Sequence, residues 1–501
     1  MNNFAVRNIL LPLLIGIAAS CWLLPSLGNG MLWQDEAQTA LLARTTLRYG
    51  VPVAFDGPNS ISQERGDDYG PHNLWKWHMW LPFYVLAGFF KIFGESTAIA
   101  RLPFALFGMA TVVLSYFTSL LTWRDVKTAV VSALLILACV PFALLVRQCR
   151  YYSPCMFFSL LMLDAYLRIC GGWRRGWIVL AIAATLLFNS HFIYTGTAFA
   201  AIGLHAAIWH RNQWKPLLFA AITTGVLCAP PVLWLASLNY RNYAGGVMNR
   251  HFLRMQVHTY AKLIVTEVLP YPLLLIPIAA GVKAVMKRRP ILPTMTALEP
   301  WALPIFFTLI TLVAISPFTP WPFFRYLGPA IAPLMILVAR WIVVAFRTNL
   351  IFGALVVALL ALWWPVAQYM DELRHPFVGP MEGIVQLLQS EGKPGDKVVI
   401  SYGDLPIKFY TKYRVFGGLA GDDLTAARGA RWLFLRHHLV SDHTMPVREF
   451  ILDQLKQNPN YQMRTLDVPD TEFENREEPE DHLFRSATGI PKVVVYQLRQ
   501  P

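Results

Sequence analysis

The sequence predicts a polytopic α-helical membrane protein that ends in a small α/β domain. Three observations carry this. Of 501 residues, 55% are hydrophobic and only 15% charged, with a mean hydropathy of +0.43, which is too apolar for a water-soluble chain of this length. Apolar runs of about 20 residues, the length that crosses roughly 30 Å of hydrocarbon, recur between residues 8 and 367. Charge is also split along the chain. Residues 1–370 hold 27 Lys and Arg against 11 Asp and Glu, net +16, whereas residues 371–501 hold 16 against 19, net −3.

That split excludes a nucleic-acid partner as the reason for a pI near 9.5. The cations sit at the ends of apolar runs, where they set topology and meet membrane lipid headgroups. The six cysteines, Cys21, Cys139, Cys149, Cys155, Cys170 and Cys228, fall in or beside apolar runs. They form neither a disulfide framework nor a metal-ligand spacing. Arg7 with the apolar run to Leu24, and Ala18-Ala19-Ser20-Cys21, imitates a secretory or lipoprotein leader. The length of the run and the spans behind it make it an uncleaved first helix.

About eleven spans are expected, at 8–27, 97–121, 127–146, 153–170, 176–190, 192–209, 215–237, 262–283, 300–316, 326–345 and 349–367. Arg124/Lys127, Arg168/Arg174/Arg175, Arg211/Lys215, Lys283/Lys287/Arg288/Arg289 and Arg340/Arg347 then fall on one side. Positive charge marks that side, with the N-terminus, as cytoplasmic. An odd number of spans places the tail outside. The domains are therefore a membrane domain, 1–370, with an external loop at 28–96, and a soluble domain, 371–501.

The same side as the tail carries the unusual segments, 28–96, 238–261 and 316–325. Asp35–Tyr49 has the apolar spacing of an amphipathic helix, and 74–93, rich in Trp, reads as a helix lying in the membrane interface. In the tail, Glu382–Ser390 is helical, Gly392-Lys-Pro-Gly-Asp396 a turn, and 398–401, 432–435 and 493–496 short strands.

Acidic residues are scarce before position 370, yet Asp35, Glu36, Asp56, Glu64, Asp67 and Asp68 all lie in the first external loop. Two readings of the Asp35-Glu36 pair stand at this point. A carboxylate at a membrane boundary has its basicity tuned by reduced dielectric, as a proton acceptor requires. Alternatively Asp35 is a helix N-cap and Glu36 a first-turn acid. Arg147, Arg150, Arg325 and Lys76 fall on the same side and suit phosphate oxygens, with lipid headgroups as the bland alternative. His72, His78 and His191 are further candidates, although no spacing identifies a metal site. Asp164, within a span, requires a partner or a role in a pathway.

Four segments together resemble a known group: Trp33-Gln-Asp-Glu-Ala37, His78-Met-Trp-Leu-Pro82 leading to Phe93-Gly-Glu-Ser-Thr-Ala-Ile-Ala-Arg101-Leu-Pro, Arg147-Gln-Cys-Arg-Tyr-Tyr-Ser153, and Phe324-Arg-Tyr-Leu-Gly-Pro329. They look like the polyprenyl-phosphate-dependent glycosyltransferases of the C-type fold, which include protein O-mannosyltransferases and the lipid A aminoarabinose transferase. The resemblance implies transfer of a sugar from a polyprenyl-phosphate donor to a hydroxyl of a lipid, glycan or protein, with inversion, on the outer face of a bacterial inner membrane. It implies Asp35 as general base and Glu36 as its helper or a holder of acceptor or of a divalent metal. Arg147, Arg150, Arg325 and Lys76 would meet the donor phosphate, and His78, Tyr151 and Tyr326 the substrates. The sequence departs from the group in separating His78 from Pro82 and in lacking a Lys-Pro pair after Lys76. A flippase for lipid-linked sugars, coupled through Asp164, is the alternative from another class, and a non-catalytic scaffold a third.

Overall fold

Backbone placement follows the apolar runs and their prolines. In the computed structural model, residues 9–238, 250–274, 276–278, 281, 294–317, 322–376, 378–437, 440–471, 482 and 489–499 are described. Arg7, the cluster Lys283 to Arg289, residues 239–249 of the second external segment and 318–321 of the third lie outside them. The chain divides into two compact units. One comprises Met1–Pro25, Phe104–Arg147 and Tyr151–Tyr369, the other Ser26–Pro103, Gln148–Arg150 and Met370–Pro501.

The first unit is helical. Expected spans appear as Tyr152–Cys170, Gly176–Ser190, Phe192–Trp209, Trp214–Ser237, Met295–Ile315 and Gly328–Thr348. Thr97–Trp123 supplies another, its first residues belonging to the second unit. Two spans are broken. Val126–Ala138 meets Val140–Val146 at 68°, and Leu350–Trp363 meets Val366–Arg374 at 50°. Cys139 is extended just before a helix that opens at Val140 with Pro141 in its first turn, and Trp364 is extended just before Pro365. Pro365 pushes its predecessor Trp364 out of the helical region, and Pro141, having no N–H, cannot continue the hydrogen-bond ladder of the preceding helix and suits the first turn of a new one.

Among the described residues six helices are long and apolar enough to cross a membrane, or up to eight if each bent pair is one span. The eleven expected spans are not all reproduced. Leu11–Leu23 and Gly176–Ser190 have 13 and 15 residues, which reach about 20 Å at 1.5 Å per residue. Segment 262–283 is described only in part; it begins at the end of the helix Arg250–Leu263 and continues as the π-turn Ile264–Val268. Leu81–Phe93 is a 13-residue helix, and 74–80 before it is not helical.

Two of the basic loops grouped together by the sequence do meet. Asp125 caps the Val126–Ala138 helix and accepts from Arg340 Nη1 at 3.2 Å and Arg347 Nη2 at 2.9 Å. Trp123, Trp301 and Trp341 gather around the same end, with the Arg340 guanidinium over Trp123, as aromatic rings at a headgroup level do. Asp164 also has its partner. Arg168 Nε donates to it at 2.5 Å across one helical turn, and Thr118 Oγ1 at 3.3 Å.

In the second unit the tail forms a five-stranded sheet. Strands β1 (Phe55–Asp56) and β2 (Asn59–Ser60) form a small hairpin, and β3 (Lys397–Ile400), β4 (Arg414–Gly417), β5 (Trp432–Phe434), β6 (Tyr461–Pro469) and β7 (Lys492–Leu498) order as β4-β3-β5-β7-β6. β3 is parallel to β4 and β5, whereas β7 runs antiparallel to β5 and β6. Alternation along β3 sends Val398 and Ile400 into a core with Ile384, Leu388 and Trp432, and Val399 into another with Leu433 and Ile451. Burial on both faces explains why these strands read as unbroken apolar runs.

Helix Asp404–Tyr410 follows β3, and Asp404 and Lys408, one turn apart at 2.6 Å, are both fully buried. Gly417 at the end of β4 makes room for this pair, since a Cβ there would lie 2.1 Å from Asp404 Cγ. Gly417→Ala should therefore lower stability by about 1–3 kcal/mol, the usual cost of an overpacked core. Gly203→Ala, whose Cβ meets nothing within 4 Å, should not; thermal unfolding in detergent distinguishes the two.

Candidate active site

Helix Gln34–Tyr49 places the acidic pair. Trp33, extended, stands at its N-cap without a side-chain cap bond, and Gly50 ends it in the left-handed region at φ 79°, where a residue without Cβ is favoured. Asp35 and Glu36 thus occupy the first turn, where unpaired backbone N–H groups favour anions. The N-cap reading of Asp35 is corrected by two positions: the cap is Trp33.

Adjacent helix positions point about 100° apart, and here that separates two environments. Glu36 is fully buried. Arg101 grips both its oxygens, Nε to Oε1 at 2.8 Å and Nη2 to Oε2 at 2.6 Å, and the Cys149 N–H donates to Oε1 at 2.8 Å. Arg101 spends its remaining donors on the carbonyls of Leu27, Asn29, Gly30 and Met31 at 2.8–3.2 Å. Asp35 is more open, its side chain 17% exposed. Gln63 Nε2 donates to its Oδ1 at 3.1 Å, and Arg150 Nη2 lies 3.4 Å from its Oδ2. Arg150 also reaches the Asp35 carbonyl, Gln38 Oε1 and Thr39 Oγ1 through Nη1 at 3.1–3.3 Å.

The loop carrying Gln63 adds charge. The Glu64 carboxyl is pushed up from its ordinary 4.5 to about 7, first by burial and then by Asp68, Asp35 and Asp67. Asp68 is pushed up as well, chiefly by burial. Lys76 belongs to the same unit, its backbone N–H donating to the Asp68 carbonyl at 3.1 Å. His78 lies there too, its ring 6.2 Å from that of Trp75. Among the described residues no three His, Cys, Asp or Glu side chains are grouped to hold a metal ion.

The other cations belong to the first unit. Arg147 Nη1 donates to the Leu23 and Pro25 carbonyls at 2.8 and 2.7 Å, and its guanidinium stacks over Tyr369. Arg325 lies over Phe323 and reaches Tyr152 Oη at 3.4 Å. The Tyr326 carbonyl accepts from Tyr194 Oη at 2.9 Å. Tyr151 packs against Tyr152 and His191, ring centres 4.7 and 5.1 Å away.

Sequence reasoning gave no role to Gln63 or Arg101. Arg101 did offer a signal, because an arginine in the first turn of an apolar helix requires a carboxylate near it. Nor did it foresee that the tail would be fastened to the acidic loop. Gln34 Nε2 donates to Asp404 Oδ1 at 3.0 Å, and Lys408 Nζ to the Ser60 carbonyl at 2.7 Å. Tyr410 Oη accepts from the Leu32 N–H at 2.9 Å.

Two measurements check this division. Removing one partner of a buried ion pair costs about 3–5 kcal/mol, so Arg101→Leu should markedly lower the unfolding temperature, whereas Asp35→Asn should leave it nearly unchanged. From pH 4.5 to about 7 the folded chain retains a Glu64 proton that the unfolded chain releases. Stability therefore falls as pH rises through that window and is level, for this group, above it. Glu64→Gln should reduce the slope, measured as unfolding midpoints at pH 5 and pH 8; Asp68, shifted the same way, keeps part of it.

Known proteins offer one sequence match and several matches of fold. The family model "Dolichyl-phosphate-mannose-protein mannosyltransferase" matches residues 78–234. No curated protein matches the sequence. Among solved structures, ArnT from Cupriavidus metallidurans bound to undecaprenyl phosphate is 13% identical with a TM-score of 0.63, covering 99% of this chain and 100% of that one. The apo state of the same protein gives 14% and 0.60, over 99% of each chain. The Archaeoglobus fulgidus oligosaccharyltransferase in the apo form is 12% identical with a TM-score of 0.52, covering 92% of this chain and 70% of that one. The fold is therefore the C-type glycosyltransferase fold that the motifs around Asp35, Arg101, Arg150 and Arg325 resemble.

Proposed function

We propose that the protein is a membrane glycosyltransferase that moves a sugar from a polyprenyl phosphate to an acceptor hydroxyl by a single inverting displacement. The observation that carries this is the Asp35 carboxylate, partly open to solvent and held by Gln63 and Arg150, in a chain sharing its fold along 99% of its length with a protein bound to undecaprenyl phosphate. A carboxylate so placed accepts the acceptor hydroxyl proton as the oxygen attacks the anomeric carbon. The lipid phosphate leaves with the bonding electrons and needs no general acid; cations stabilise its charge.

In this reading Asp35 is the base and Arg150 a cation beside it. Glu36, saturated by Arg101 and the Cys149 N–H, anchors the base rather than sharing its work. Arg325, Lys76 and Arg147 supply charge for the donor phosphate, and Tyr151, Tyr326 and His78 contact the substrates. Acceptor classes are a lipid, a glycan or a protein. The site faces the extracytoplasmic side of a bacterial inner membrane, with the 371–501 domain outside and the N-terminus cytoplasmic. Asp164, the coupling residue of the flippase alternative, accepts from Arg168 Nε and Thr118 Oγ1.

Reconstituted in vesicles with a panel of undecaprenyl-phosphate-linked sugars, the wild-type protein should transfer label to an acceptor. Asp35→Asn should slow transfer by about 10²–10⁴, the usual contribution of a general base, while undecaprenyl phosphate binding persists. Undiminished transfer by Asp35→Asn would remove the base assignment, and lipid movement without transfer would favour the flippase.

A further inference from the structure

We propose that Gln63 is a positioning residue for Asp35 and that the C-terminal domain, through the loop bearing Gln63, sets the orientation of the base. The proposal rests on the glycosyl transfer proposed above with Asp35 as base. A proton acceptor must present one oxygen lone pair toward a hydroxyl, so rotation of the carboxylate has to be fixed. Here the two oxygens are held separately, Oδ1 by the Gln63 amide at 3.1 Å and Oδ2 facing Arg150 at 3.4 Å. The chemistry of the two grips differs. A cation lowers the basicity of a carboxylate strongly, whereas a neutral amide N–H orients it at a smaller cost in basicity. A second cation in place of Gln63 would fix the rotation but weaken the base.

Gln63 is itself held from behind. Its N–H donates to Oδ2 of Asp68 at 2.7 Å, Asp68 is fully buried, and the Asp68 carbonyl accepts from the Lys76 N–H at 3.1 Å. Ser62 Oγ accepts from the N–H groups of Glu64 and Gly66 at 3.3 and 2.7 Å, closing the loop on itself. Arg65, at φ 53° in the left-handed region, points its N–H to the Leu419 carbonyl at 3.1 Å. Leu419 follows β4, and a Cβ on nearby Gly421 would come within 2.7 Å of Arg65 Cα. The path from tail to base is thus short: the turn after β4, the 62–68 loop, Gln63, Asp35.

The experiment compares the wild type with Gln63→Ala and Gln63→Glu in the same vesicles. The donor is undecaprenyl-phosphate-linked mannose, or the panel member the wild type uses. Gln63→Ala should lower kcat by about 10- to 100-fold, the effect of a misdirected catalytic group, with the donor KM unchanged. Gln63→Glu sets a new carboxylate against Asp35, among Arg150, Glu64, Asp67 and Asp68, and should move the acid limb of the pH–rate profile upward. A merely structural loop residue would produce neither the kcat-only loss nor the shifted limb. Unfolding midpoints for each variant separate misfolding from misalignment. Wild-type kcat in Gln63→Ala, or loss through KM alone with an unmoved acid limb, overturns this proposal while leaving Asp35 as base. A wild type that transfers no sugar from any panel member overturns both.

Discussion

One buried ion pair fixes the arrangement from which the candidate chemistry follows. Arg101 joins Glu36 on both oxygens and collects four carbonyls from residues 27–31, and Glu36 also takes the Cys149 N–H. Three segments distant in sequence are thereby tied at one point: residues 27–36, the start of the Thr97–Trp123 helix, and the turn at 148–150. A guanidinium and a carboxylate removed from water have no tolerable state except together with every remaining donor used. That requirement sets the entry of the Gln34–Tyr49 helix and brings Arg150, the residue after Cys149, alongside Asp35.

The tail shares in this fixation. Gln34, one residue before Asp35, both donates to Asp404 and accepts from the Leu405 N–H at 3.2 Å. Asp404 in turn is neutralised by Lys408, which caps the Ser60 carbonyl at the end of β2. The first helical turn bearing the acids is therefore held from both sides, by Arg101 and by a helix that belongs to the tail's sheet. A domain without any catalytic motif of its own acquires a mechanical role through these contacts, which accounts for its being fastened to the acidic loop.

Much of the fold was legible because hydrophobic thickness and strand alternation are written locally. Segments 153–170, 176–190 and 192–209 appear within a residue of the positions read from the sequence. The breaks at Cys139 and Trp364 were missed, although Pro141 and Pro365 signal them, because apolar length outweighs a single ring in a hydropathy reading. In the candidate site, proximity of Asp35 to Arg150 was readable from the expected topology, which puts both on the same side. The partner of Glu36 was not, because Arg101 lies at the start of a later helix and long-range pairing leaves no periodic trace. Gln63 was silent for a similar reason: a neutral amide in a polar loop has many uses, and only its 3.1 Å contact with Asp35 selects one.

Adjacency is what divides the two acids. Neighbours on a helix face directions about 100° apart, so one wall can enclose one of them and leave the other open. Enclosure gives Glu36 three short donors and no exposure to solvent. Asp35 has a neutral amide on one oxygen and a longer contact to a cation on the other. Beside it the Glu64 carboxyl is pushed up to about 7, first by burial and then by Asp68, Asp35 and Asp67. The loop that brings the Gln63 amide to Asp35 thus also brings Glu64 and its acidic neighbours close to it, so the amide contact and the local charge have a single structural origin.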